Sequence, residues 1–182
     1  MVLPDGLPVP NDDGACDHLP GFQVPSLLLD GTDGEAYDLA SLSGRSIVYA
    51  YPWTGQPGQP LLSEDWDLIP GARGCTPETC GFRDHHAELT ALGARVFGLS
   101  TQEADYQREL AERLSLPFPV LSDAGRELTR AMDLPVFVAA GRTLLKRLTL
   151  VISDGSIEHV FYPVFPPDRH ASEVLRWLEE SR

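Results

Sequence analysis

The succession of sequence patterns predicts an α/β domain, with a mixed central β-sheet covered by helices on both faces. Residues 46–51 (SIVYAY) and 94–99 (ARVFGL) are dense in β-branched, aromatic and aliphatic side chains, as buried strands are. Stretches with helical periodicity come after both. Asp154-Gly155 then divides two apolar runs, residues 144–153 and 157–162, which is the signature of a hairpin. The 182 residues, 42% of them hydrophobic, suffice for one domain with a sizeable core.

From the N-terminus, residues 1–21 are rich in Pro, Gly and Asp and predict a flexible arm, with the domain proper at 22–182. Cys16 lies in that arm and is expected to be an exposed, unpaired thiol. Residues 24–29 read as a short strand, ended by the turn residues Asp30-Gly31-Thr32-Asp33-Gly34. After the strand at 46–51 comes a Pro/Gly-rich segment, about residues 55–72, too long for an ordinary connection. Pro77 suits the first position of a helix, with Thr76 as N-cap; the helix is expected to reach Leu92, where Gly93 closes it. Ser100-Thr101-Gln102-Glu103 matches a capping box, and the helix after it sets Tyr106, Leu110 and Leu114 on one face. A short helix is expected over residues 124–132. A last one starts near Asp168, with Val174, Leu175 and Leu178 on its apolar side.

Charge narrows the partners. The net charge of −13 argues against nucleic acid or an anionic membrane. No run approaches the roughly 18 apolar residues of a membrane helix. The first residues lack a basic region followed by an apolar run, so no secretory signal is expected and the cytoplasm is the expected location. Thiols there stay reduced, and paired cysteines then point to catalysis, redox sensing or metal binding rather than to structural disulfides.

Cys75 falls where a helix is expected to begin, and Cys80 follows five residues later. The positive end of the backbone dipole favours the thiolate, the reactive form of cysteine. A second thiol nearby can trap an oxidised sulfur. A zinc site built from Cys75, Cys80, His85 and His86 is disfavoured: the spacing is not a usual zinc arrangement, and one helix would point the four in several directions. No metal and no cofactor is expected, and His85 and His86 read as surface or packing residues.

Four motifs in order resemble the peroxiredoxins, specifically the bacterioferritin comigratory protein subfamily. They are residues 49–52 (YAYP), 74–84 (GCTPETCGFRD), 116–123 (LPFPVLSD) and 147–152 (RLTLVI). The resemblance implies a thioredoxin-like fold and the reduction of hydrogen peroxide and organic hydroperoxides. It implies that Cys75 is the peroxidatic cysteine, Cys80 the resolving cysteine, and Arg147 the arginine that holds thiolate and peroxide. Glu78 and Thr149 fall at positions that commonly support that network. The implied cycle runs through a sulfenic acid and an intramolecular disulfide, which thioredoxin or a glutaredoxin-like donor reduces. A monomer or weak dimer is expected. The alternative is a redox-sensing protein using the same pair without fast turnover. A general disulfide oxidoreductase is disfavoured because no C-x-x-C motif is present.

Two features set this chain apart. Five residues of helix place Cys75 and Cys80 roughly 140° apart with a rise of about 7.5 Å. A disulfide needs Cα atoms within about 7 Å, so the first helical turn is expected to unwind before the bond forms. The second is a displaced threonine. The family pattern carries a threonine three residues before the peroxidatic cysteine, where this chain has Ala72. We read an insertion at about 55–72, with Thr54 keeping the hydroxyl role through space. The insertion is expected to be either a solvent-exposed ornament packed by Trp66 and Leu68 or a lid over the peroxide pocket. Alternation along the strand leaves open whether Lys146 or Arg147 faces the site; the motif favours Arg147.

Overall fold

The computed structural model describes residues 3–181. In chain order the elements are β1 (Leu28–Gly31), β2 (Ala36–Asp38), β3 (Arg45–Ala50), α1 (Cys75–Asp84), α2 (His86–Ala91), β4 (Ala94–Ser100), α3 (Ala104–Arg113), β5 (Val120–Ser122), α4 (Glu127–Ala131), β6 (Val136–Ala139), β7 (Arg142–Leu145), β8 (Leu148–Ser153), β9 (Ser156–Phe161) and α5 (His170–Glu180). Seven strands make one sheet in the order β2-β1-β5-β4-β3-β8-β9, and β6 and β7 form a separate hairpin. The β3–β4 and β4–β5 pairs are parallel, and β8 and β9 add antiparallel strands. This is the mixed sheet that the sequence predicts.

Central β3 separates the two halves of the core by simple alternation. Ile47, Tyr49 and Tyr51 face one way and pack with Phe82 of α1, Leu89 of α2, Leu110 of α3 and Val174 and Leu178 of α5. Val48 and Ala50 face the other way, among Leu39, Leu128 of α4, Leu19 and Cys16. Helices therefore cover both faces. Each fully buried aliphatic or aromatic side chain contributes about 1.5–3 kcal/mol, so this double layer is the main source of stability.

Several boundaries differ from the sequence reading, each for a local reason. The expected single helix over 77–92 is two helices, because the backbone turns at His85 (φ −94°, ψ 6°). Its N-cap is Gly74 rather than Thr76. Gly74 sits at φ +106°, and a Cβ there would run into Pro167, so only glycine fits. The capping box is not used: Ser100 closes β4, and Glu103 precedes α3 without a side-chain cap. The expected run 144–153 is broken at Lys146-Arg147, since Leu144 and Leu145 pair with Phe137 and Val136 in the separate hairpin.

The N-terminal segment is fastened to the domain. Cys16, expected to be exposed, is buried in the core, and Leu19 is fully buried beside it. The Asp13 carboxylate binds Lys146 Nζ at 2.6 Å and the Tyr162 hydroxyl at 2.7 Å, and Gly21 N–H donates to the Ile157 carbonyl at 2.8 Å. Apolar burial outweighs the Pro/Gly/Asp composition that suggested an arm. Burial also pushes the Cys16 thiol up to about 12, with nearby Asp13, Asp12 and Asp17 adding to it. Cys16 is therefore expected to resist alkylation at pH 8 in the folded protein and to react at an ordinary thiol rate once denatured. Mass-spectrometric counting of alkylated thiols with and without urea checks this.

Candidate active site

Three pieces of chain that are far apart in sequence meet at the N-terminus of α1. Cys75 is the first residue of that helix, only 4% exposed. The break between β7 and β8 turns Arg147 inward, while Lys146 points out to Asp13 and Tyr162. Arg147 is 3% exposed, and its Nη2 donates to Cys75 Sγ at 3.1 Å. The same nitrogen reaches the carbonyls of Gly71, Ala72 and Arg73 at 3.2–3.3 Å. The other guanidinium nitrogen, Nη1, is paired with the Glu78 carboxylate, one turn further along α1. The third piece is the stretch just after β3, where Trp53 and Thr54 line the same cavity as Cys75.

The electrostatics are a contest. Burial pushes the Cys75 thiol up from its ordinary value, and the Glu78 charge adds to that push; the Arg147 guanidinium and the Trp53 N–H pull it down. In the neutral form the thiol donates to the Ala72 carbonyl at 3.5 Å. In the thiolate form it accepts from Arg147. Burial likewise pushes the Glu78 carboxyl up, against Arg147 and, behind it, His170. His170, fully buried at the head of α5, holds Thr149 Oγ1 at 2.8 Å through Nε2.

Cys75 opens onto a cavity of about 390 Å³. Its walls come from the β3 end (Trp53, Thr54), the 55–72 loop (Leu61, Leu62, Trp66) and the first turn of α1. Trp66 is buried and packs with Ala72, Ala139 and Leu144, so the loop is anchored on the β6–β7 hairpin; Leu68, by contrast, is 75% exposed. The loop is thus a wall of this cavity.

The structure brings Cys75, Arg147 and Glu78 together. Thr54 is buried and lines the same cavity, with its hydroxyl donating to Gln102 Oε1 at 3.2 Å. Cys80 lies in α1 with Cys75, half-buried, and all three cysteines are free. Thr149 contacts His170. Sequence reasoning missed Gln102 and His170. A buried glutamine and a helix-start histidine carry no local signal, although the unused polar run Ser100-Thr101-Gln102 could have prompted the question. Among the described residues no group of three or more His, Cys, Asp and Glu side chains is placed to hold a metal ion.

The Redoxin family pattern matches residues 16–176. Peroxiredoxin Bcp of Escherichia coli is 32% identical over 165 residues, 88% of this chain and 95% of its own length. Peroxiredoxin Q, chloroplastic, of Oryza sativa is 30% identical over 161 residues, 87% of this chain; the chain spans 66% of that protein's length. Among solved structures, peroxidoxin BcpB of Mycobacterium tuberculosis superposes with a TM-score of 0.72 at 27% identity, covering 91% of this chain and 99% of its own. The bacterioferritin comigratory protein of Xanthomonas campestris, whose alkyl peroxide reduction has been studied structurally, gives 0.68 at 22% identity, over 97% and 98%.

The contest at Cys75 has a direct readout. Replacing Arg147 by lysine keeps a positive charge for Glu78 but loses the fork that reaches sulfur. Burial is then less opposed, and the pH midpoint of Cys75 alkylation by iodoacetamide is expected to rise. The rate constant for oxidation by hydrogen peroxide should fall by about 100-fold, the scale of losing one aligned donor. Stopped-flow tryptophan fluorescence measures the latter.

Proposed function

The chain belongs to the Redoxin family, among the peroxiredoxins, and we propose that it is a thiol-dependent peroxidase acting on hydrogen peroxide and organic hydroperoxides. The observation that carries this is the Arg147 guanidinium, buried and 3.1 Å from a cysteine that opens a helix and lines a cavity. In this reading the Cys75 thiolate attacks the terminal oxygen of the peroxide. The S–O bond forms as the O–O bond breaks, and the second oxygen leaves as water or an alcohol after taking a proton. Negative charge spreads over sulfur and both oxygens. Arg147 Nη2, the Trp53 N–H and the N–H groups of the first turn of α1 supply donors already in place.

Cys75 then carries a sulfenic acid. Cys80 attacks that sulfur, water leaves, and a disulfide forms. Both residues lie in one helix, so the first turn of α1 must open in each cycle. A dithiol protein of the thioredoxin or glutaredoxin kind returns both thiols by exchange. That cycle needs a compartment in which thiols are kept reduced, of which the cytoplasm is the simplest; among relatives with related names, those of plants are chloroplastic. No helix among the described residues is long and apolar enough to cross a membrane.

Cys75→Ser is expected to abolish peroxide reduction. Cys80→Ser should leave the first oxidation within about twofold of wild type but expose Cys75 to over-oxidation. Continuous peroxide consumption with a thioredoxin system tests turnover, and its absence with rapid Cys75 oxidation would favour a sensor. Amide exchange over residues 75–82 should be faster in the disulfide form than in the dithiol form. Equal protection would exclude the opening step.

A further inference from the structure

Thr54 and Cys75 line one cavity, yet the loop of residues 55–72 lies between them in the chain. A connection that long does not fix the distance between its ends. Some other contact must hold the end of β3 against the cysteine. The contact is made by Gln102, a residue with no part in the steps above. Its Oε1 accepts from the Thr54 N–H at 2.8 Å and from the Thr54 hydroxyl at 3.2 Å, and its Nε2 donates to the Thr54 carbonyl at 2.9 Å. The backbone donor and acceptor of Thr54 are both taken, as a neighbouring strand would take them.

The clasp is itself held. Gln102 and Thr54 are each 2% exposed. The Gln102 carbonyl accepts from Gln107 Nε2 at 3.0 Å and from Ser122 Oγ at 2.8 Å, and its N–H donates to Ser100 Oγ at 3.2 Å. Gln107 in turn accepts the Tyr51 hydroxyl at 2.6 Å, which returns the chain of bonds to the strand end where it began. Trp53, which lines the cavity together with Cys75, is the residue next to the clasp. The Thr54 hydroxyl hydrogen is spent on Gln102, so the oxygen's lone pairs are left to accept from a molecule in the cavity.

We propose that Gln102 is a positioning residue for the reaction at Cys75: by clasping Thr54 it holds the Trp53–Thr54 backbone in the wall beside the sulfur and turns the Thr54 oxygen, as an acceptor, toward the O–H of a bound hydroperoxide. It does through space what a short connection to the cysteine would do through the chain. The hydroperoxide half of this rests on the peroxidase reading; the placing of the Trp53–Thr54 backbone beside Cys75 does not.

The test uses the full chain with Gln102→Met, a nearly isosteric change that removes the hydrogen bonds and keeps the packing. Three quantities are read: the pH profile of Cys75 alkylation by iodoacetamide in a Cys80→Ser background, the rate constant of Cys75 oxidation by hydrogen peroxide, and the rate at which thioredoxin reduces the preformed disulfide. We expect the alkylation midpoint to rise by about half a unit or more and oxidation to slow by about tenfold, because donors to the charged form are lost. Disulfide reduction, which starts from opened α1, should stay within about twofold. If Gln102→Met leaves both the alkylation midpoint and the oxidation rate unchanged, or if oxidation and disulfide reduction fall together with thermal stability, the proposal is overturned. Should Gln102→Met not fold, Gln102→Asn, whose amide is one methylene too short to reach Thr54, is read in the same way. A wild-type protein inert to peroxide would refute the peroxidase reading, while the alkylation arm would still decide the clasp.

Discussion

The Glu78–Arg147 ion pair, with side chains 0% and 1% exposed, is the constraint around which this site is arranged. A charge cannot be left alone at that depth; removing one partner of such a pair costs about 3–5 kcal/mol. Arg147 is therefore fixed by Glu78 on one nitrogen and by three carbonyls of residues 71–73 on the other. The two N–H groups of Nη2 are shared among these carbonyls and Cys75 Sγ, which holds the guanidinium against the sulfur. The role of Glu78 is geometric, since its own charge works against the thiolate. The pair also ties α1 to the junction of β7 and β8, so the helix that carries both α1 cysteines is docked by the group that donates to one of them. Arginine is needed for this, because a lysine offers one charged point and no fork.

A second consequence concerns the long loop before Cys75. The sequence leaves two views of residues 55–72, ornament or lid. The structure makes them a wall: Trp66 is buried against the β6–β7 hairpin, while Leu61 and Leu62 line the cavity. A wall made of a long excursion cannot also serve as the ruler between its ends. The polar groups Thr54, Gln102, Gln107 and Tyr51, all buried and mutually hydrogen-bonded, take on that function. Buried polar networks fix geometry only when their members are satisfied, and here each bond supports the next.

What was legible in the sequence follows from range. The strands β3 and β4 announce themselves because burial on both faces demands runs such as Ile47-Val48-Tyr49. The Asp154-Gly155 hairpin shows because both residues take positive φ, 49° and 79°, which few residue types tolerate. The motif order pointed to Cys75 and Arg147, though period-two alternation could not decide between Lys146 and Arg147. Only the chain break after β7, set by the pairing of Leu145 with Val136, turns Arg147 inward. Cys16 was misread because composition weighs a segment by itself, whereas burial depends on the face it meets. Gln102 was invisible for the same reason: its partner is 48 residues away, and its Nε2 bond is to backbone.

The Arg147–Cys75 contact and the proposed resolving step pull on the same helix. Glu78 lies between Cys75 and Cys80, so opening α1 wholesale would strip Arg147 of its carboxylate and strand a buried cation. Opening only residues 75–77 avoids that cost. Three residues in extended form span about 10 Å, enough to carry the Cys75 sulfur around Glu78 toward Cys80 while the ion pair stays closed. Oxidation helps to release it. In the proposed cycle a thiolate held by a guanidinium becomes a sulfenic acid without net charge, so the attraction that docks Cys75 would weaken as it has to leave. The packing of Gly74 against Pro167 opposes that release, and Gly81 against Ala171 secures the part of α1 that stays. In the proposed cycle Glu78 is then a hinge pin as much as a positioning group, and its place within the five-residue interval matters as much as the interval itself.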